Sequence, residues 1–179
     1  MSTEWFDVVN ERDEVVRRAL RQEVHAYGLK HRAVHVLVFN SRGQLFLQKR
    51  SQKKDREPGV WDSSASGHVD AGEDYDSAAA RELQEELGVT LSQPLHRWFK
   101  LDACDETDQE FVWVYRLQHD GPFVWPPEEV EDGAWFEPSA VSRWVCQQPA
   151  VFARAFRYLW AEIERRRALN PQDLTLPGK

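Results

Sequence analysis

Arg81, Glu82, Glu85 and Glu86 stand close together in the stretch Gly67 to Val89, GHVDAGEDYDSAAARELQEELGV. On an α-helix, positions three and four apart share a face. At about 100° per residue, the three glutamates span an arc of roughly 100°. Like charges at this spacing destabilise a helix slightly, so the pattern calls for cations. Arg81 can offset one carboxylate. A hard, oxygen-seeking divalent ion such as Mg²⁺ would offset the others. A solvated acidic helix face would use the same residues and do no chemistry. The wider spacing separates the two readings.

Gly67 is followed after five residues by Glu73, and after seven more by Arg81-Glu82-Leu83-Gln84-Glu85-Glu86-Leu87-Gly88-Val89. This spacing resembles the signature of the Nudix hydrolase family at every fixed position. The resemblance implies an α/β fold, an α/β/α sandwich with a mixed central sheet. It also implies hydrolysis of a nucleoside diphosphate linked to another group, with Mg²⁺ or Mn²⁺. Carried over by position, Glu82 and Glu86 are metal ligands one helical turn apart. Glu85 is a further ligand or accepts from Arg81, and Arg81 orients the carboxylates. The Gly67 carbonyl is a backbone ligand, and Glu73 holds the loop in place. In many members another glutamate completes the metal site or acts as base. Glu110 is the first candidate, followed by Glu106, Glu128, Glu129 and Glu131. Lys49 and Arg50 are candidates to meet the diphosphate, as are Arg32 and His68, or they are ordinary strand-end residues. Trp61, Trp98 and Trp113 either stack on a base or fill the core.

A second resemblance runs over roughly residues 25 to 145. His31-Arg32-Ala33, Phe39-Asn40, Leu45 to Arg50, Pro58-Gly59-Val60-Trp61 and Ser66-Gly67-His68 are similar to the branch that contains isopentenyl diphosphate isomerase. There, histidines and a glutamate bind one metal, and His25, His31, His68 and Glu110 fall near those positions. The isomerase cysteine, however, is replaced by Ser66. A serine hydroxyl is a far weaker acid than a thiol, so isomerisation is not expected. The readings from other classes are a catalytically silent nucleotide-binding module and an isomerase-like enzyme.

These residues need a scaffold. The 179 residues suit one domain with a real core, and 41% are apolar, including eight tryptophans among the bulky ones. No run of 18 or more apolar residues occurs, so no membrane span is expected. The opening MSTEWFDVV lacks the pattern of a secretory signal. Cys104 and Cys146 form no metal or disulfide motif, and a reducing cytoplasm is the simplest reading. A net charge of −7 argues against a nucleic-acid polymer as partner. A small diphosphate remains accessible, because a bound metal and a few local bases reverse the field in one cleft. Either a monomer or a homodimer is compatible with the chain.

Hydrophobic patterning predicts a single domain over 1–168, with a hairpin at about 4–18 and the box at 67–89. A mobile tail is expected over 169–179. Ala33 to Phe39 and Gln44 to Gln48 read as a second hairpin around Asn40-Ser41-Arg42-Gly43. The box helix is expected from about Asp74 to Leu87, ended by Gly88, with Tyr75, Ala79, Leu83 and Leu87 docked on a sheet. Strands follow at Leu95 to Ala103, Glu110 to Gln118 and Gly133 to Phe136. A helix opens at Pro138, and an amphipathic one covers Pro149 to Arg167.

Overall fold

The central strand shows most directly why this sequence builds a layered sheet. In a computed structural model describing residues 4–170, β3 (His31–Phe39) has two apolar faces. Ala33, Leu37 and Phe39 enter one buried cluster, and Val34, Val36 and Val38 enter the other. Alternation with both faces buried is what a central strand needs.

The chain starts with β1 (Trp5–Val9) and β2 (Val15–Leu20), a separate two-stranded sheet. The short α1 (Arg21–Tyr27) leads into β3, then β4 (Leu45–Arg50), β5 (Trp61–Asp62) and β6 (Ala65–His68). The box helix α2 (Tyr75–Leu87) is followed by β7 (His96–Leu101), β8 (Glu110–Gln118) and β9 (Val130–Phe136). Two helices close the chain, α3 (Pro138–Gln147) and α4 (Arg154–Leu169). The main sheet runs β5-β4-β3-β8-β7, with β6 also on β3 and β9 also on β4. β3 and β8 are parallel and the other pairs antiparallel, so the sheet is mixed. Tyr75, Ala79, Leu83 and Leu87 of α2 are buried with one face. Val141, Phe156, Leu159, Trp160 and Ile163 of α3 and α4 are buried with the other. This is the expected α/β/α sandwich. Among the described residues, no helix is long and apolar enough to cross a membrane.

The box helix begins and ends where its sequence dictates. Asp74 caps it by accepting from the Ser77 N–H at 2.9 Å. Gly88 closes it at φ 70°, a left-handed position that glycine takes without strain.

Four boundaries differ from expectation. β3 and β4 share a single register pair, Phe39↔Leu45, so the second hairpin parts at its base. Beyond it, β6 occupies the edge of β3, and β4 turns to β9 and β5. β9 starts earlier, at Val130, because it pairs along β4 as far as Arg50. α1 was not expected. The last helix begins at Arg154 after a short 3₁₀ turn and runs through Leu169, into the expected tail. The remainder of that tail, 171–179, lies outside the described residues.

Asp13 ties the N-terminal hairpin to the domain. It accepts from Arg32 Nε at 2.6 Å, from the Tyr75 hydroxyl at 2.8 Å and from Lys100. Burial alone would raise this carboxyl, but hydrogen bonds from Lys100, Arg32 and Tyr75 outweigh it and hold it low. A depressed native value stabilises above the ordinary 3.8, and that contribution is lost as pH falls through the native value. Asp13→Ala should therefore cost about 2–4 kcal/mol near neutrality, leaving Arg32 and Tyr75 without their acceptor. Urea midpoints should show the gap from wild type narrowing as acid is added.

Candidate active site

Strand pairing brings the candidate site residues to one end of the sheet. β6 lies on β3 with Val34 opposite Gly67 and Ala33 opposite His68. β8 lies on the other edge of β3 with Glu110 opposite His31. α2 packs over β6 and delivers the box glutamates to the same end. The result is a cleft of about 1290 Å³. Gly67, His68, Arg81, Glu82, Glu85 and Glu110 all line it.

The glutamates of α2 have distinct surroundings. Glu86 is 2% exposed and accepts from Gln48 Nε2 at 2.6 Å and from the Ser66 N–H at 2.9 Å. Lys54 Nζ stands 3.9 Å away. Glu82 lies against Gly67 so closely that a Cβ there would come within 2.1 Å of its carboxyl carbon. Glu85 is the exposed member and accepts from Arg81 at 3.2 Å. Burial, then the mutual repulsion with Glu86, pushes the Glu82 carboxyl up; burial likewise pushes Glu86 up, against the pull of Lys54.

Arg81 is the hub of the wall. It donates to both oxygens of Glu73, at 3.0 and 2.9 Å, to Glu82 at 2.6 Å and to the His68 carbonyl at 3.0 Å. Hydrogen bonding to Glu73 is the main reason its guanidinium is held above its usual range. Glu73 also accepts from the Asp70 N–H at 3.1 Å, which braces the loop before α2. Arg81 thus touches carboxylates and backbone, as an orienting residue does.

The donor set fits a hard divalent cation. Its side chains are oxygen ligands, two of them buried where ionisation is disfavoured, and glycine leaves room at Gly67 for a close approach. Mg²⁺ or Mn²⁺ would be held by Glu82, Glu86 and Glu85 with the Gly67 carbonyl. Binding to the native state alone adds RT ln(1 + [L]/Kd), about 2.7 kcal/mol at 100 times Kd. A thermal melt should therefore shift upward with Mg²⁺ in wild type and not in Glu86→Gln.

A second cluster adjoins the first. His25, His31 and His68 bring ligand nitrogens within 4.8 Å of one another. His31 Nδ1 donates to the Leu29 carbonyl at 2.9 Å, and His25 Nδ1 to Asp108 at 3.1 Å. Each acceptor holds its ring by Nδ1 and leaves both Nε2 atoms facing the cluster. Both are buried without a hydrogen-bond partner. Glu110 faces His68 Nε2 at 3.0 Å and His31 Nε2 at 3.5 Å. Burial works against its charge, but the two histidines outweigh it and hold the carboxyl low. Phe6 of β1 stacks on His31 and His68 and roofs the cluster.

The remaining expected residues are distributed unevenly. Arg50 lines the cleft and pairs with Asp62 at 3.4 Å. Lys49 does not line it; it pairs outward with Glu131 at 3.1 Å. Arg32 does not line it either, since its guanidinium is committed to Asp13 and lies over Tyr75. That placement sets both apart from the cleft that Glu82 and Glu85 line. The tryptophans are also elsewhere: Trp61 packs on Phe136 and Trp144, while Trp98 lies under Arg116 and Trp113 under Arg97. Glu106, Glu128 and Glu129 line the cleft and Glu131 does not. Sequence reasoning missed Gln48 and Lys54. A buried polar residue in the apolar run Leu45-Phe46-Leu47-Gln48 was the available signal for the first.

The chain has counterparts in sequence and fold among known proteins. The NUDIX domain model matches residues 29–156, and the chain belongs to the Nudix family. The Nudix hydrolase YfcD of Escherichia coli K12 is 34% identical over 141 residues, 79% of this chain and 78% of that protein. The crystal structure of DR0079 from Deinococcus radiodurans superposes with a TM-score of 0.75 at 32% identity, covering 90% of this chain and 98% of that one. The NUDIX domain of Shewanella oneidensis NrtR, complexed with ADP ribose, has a TM-score of 0.58 at 16% identity, over 83% of this chain and 99% of that one. That last likeness shows the fold alone.

Proposed function

We propose that this protein is a metal-dependent diphosphohydrolase that cleaves a phosphoanhydride linkage in a small molecule such as a nucleoside diphosphate derivative. The observation that carries the reading is the pair Glu82, on the wall of a cleft edged with bases and against Gly67, and Glu86, buried one helical turn further along α2. When bound there, Mg²⁺ or Mn²⁺ supplies neutralisation of the phosphate oxygens and a more acidic water. Water attacks a phosphorus of the anhydride, and the bond to the departing phosphate breaks. The proton lost by the water goes to a glutamate of the box. We assign that role to Glu85, the exposed carboxylate at the cleft. Arg81 holds Glu82 and Glu85 in place. Arg50 and His68 face the substrate side. The unpaired Cys104 and Cys146 suit a reducing cytoplasm.

The isopentenyl diphosphate isomerase-like reading keeps one specific support, the two bare imidazole nitrogens of His25 and His31. They suit a borderline metal, with His68 and Glu110 completing the set. Ser66 supplies no thiol, so we propose this cluster as a second metal site of a hydrolase.

A release assay tests the function. Purified protein is incubated with Mg²⁺ or Mn²⁺ and nucleoside di- and triphosphates, ADP ribose, dinucleoside polyphosphates and isopentenyl diphosphate. Metal-dependent appearance of phosphate or a nucleoside monophosphate is the expected result. Tight binding of a panel member with no product would favour the catalytically silent nucleotide-binding module instead.

A further inference from the structure

Eight lysines and arginines line the cleft, and seven of them have a carboxylate partner. Arg50 and Arg81 are described above. Lys54 pairs with Glu129, and Lys53 with Glu128 at 3.5 Å. Arg56 and Arg154 both reach Asp108, at 2.5 and 3.5 Å, and Arg21 meets Asp55. The eighth is Arg157, on α4. Among the described residues its side chain has no ion pair, and its Nε is buried without a hydrogen-bond partner. Buried polar atoms are almost always satisfied, and a buried guanidinium nitrogen left bare is costly. In a cleft built for a phosphate ester, the partner that fits a guanidinium fork is an anion on the ligand.

The position of α4 determines which anion. α2 lies on one face of the sheet and α4 on the other. The carboxylate wall and Arg157 therefore face the cleft from opposite layers. An anhydride held at Glu82 and Glu86 leaves Arg157 for a different group of the same molecule. Arg154 stands one turn earlier on the same helix and shares that face. Phe152, Phe156 and Trp160 stack in series and fix the helix that carries both arginines. No tryptophan or tyrosine among the described residues lines the cleft, and its one phenyl ring, Phe6, is 1% exposed. Recognition in this cleft thus relies on charge more than on stacking.

We propose that Arg157, assisted by Arg154, binds a second phosphate of the substrate, distant from the anhydride that is cleaved. The substrate class is a small molecule phosphorylated at two ends, for which a stacked base is dispensable. This deepens the hydrolase reading and rests on it for the role of the diphosphate end.

The test is equilibrium binding, with Ca²⁺ present to slow turnover. One probe is 5-phosphoribosyl 1-diphosphate, which carries a diphosphate, a remote phosphate and no base. The other is isopentenyl diphosphate, which lacks the remote phosphate. Wild type should bind the first at least about tenfold more tightly, the effect of one charged hydrogen-bonded contact. Arg157→Gln should remove that preference, weakening the first probe about ten- to hundredfold and the second less than about twofold. Arg157→Lys should recover part of the loss, and Arg165→Gln, a solvent-side change on the same helix, should change nothing. Equal affinity of Arg157→Gln and wild type for the two-ended probe overturns the inference, as does a wild type that does not prefer it. Phosphate release with Mg²⁺ from the same samples reports separately on the hydrolase reading.

Discussion

Glu86→Gln is expected to lower kcat/KM by about 10²–10⁴-fold, the range lost when several kcal/mol of transition-state stabilisation disappear. The reason is local. Glu86 is 2% exposed, and its Oε2 already accepts from Gln48 and the Ser66 N–H. A glutamine fits the same space and accepts the same bonds, but it brings no charge to a cation. Burial already works against the ionised glutamate. The metal-free melting temperature of the variant should therefore equal or exceed that of wild type. Steady-state kinetics and a thermal melt on one preparation separate the effects. Unchanged turnover would remove Glu86 from the metal set. Lost turnover with a lower metal-free melting temperature would mean that the variant damages the fold.

Gly67→Ala should be nearly as damaging to activity and mild in its effect on stability. A Cβ at this position meets the carboxyl of Glu82 at 2.1 Å, and no backbone atom is among its nearest neighbours. The end of a flexible side chain yields before a strand does. Overpacking of this kind costs about 1–3 kcal/mol. A catalytic group moved by about 1 Å can cost roughly 10²-fold in rate. The expected outcome is a folded protein with kcat/KM down about a hundredfold and a weaker Mg²⁺-induced thermal shift. A variant with normal kinetics would show that the close approach of Glu82 to Gly67 is not needed for catalysis.

The site was legible in the sequence to unequal depth. α2 was readable because everything that defines it is local: the Asp74 cap, the Tyr75-Ala79-Leu83-Leu87 stripe, the Gly88 stop and the glutamate spacing. The strand Glu110 to Gln118 was equally plain, being bounded by polar residues on both sides. The β3–β4 hairpin closes at its expected turn but stops there, for the opposite reason. A good turn at Asn40 to Gly43 specifies the first pair, but competition from β6 for the edge of β3 decides the rest. The choice among bases was also beyond local reading. Lys49, Arg50 and Arg32 are alike in type, and only Arg50 reaches the cleft. Alternation along β4 and the pull of Asp13 on Arg32 take the other two away.

The sequence by itself determined the family and the helix that carries the carboxylates. Those properties depend on contacts within a few residues along one helix, and helical periodicity makes such contacts computable. The tertiary structure alone decided how His25, His31, His68 and Glu110 meet, since resemblance could name them but their spacing could not join them. It also decided that Arg157, some seventy residues beyond the box, faces the same cleft without a partner. Strand order and helix docking set both, and these depend on which apolar faces find each other across the whole chain.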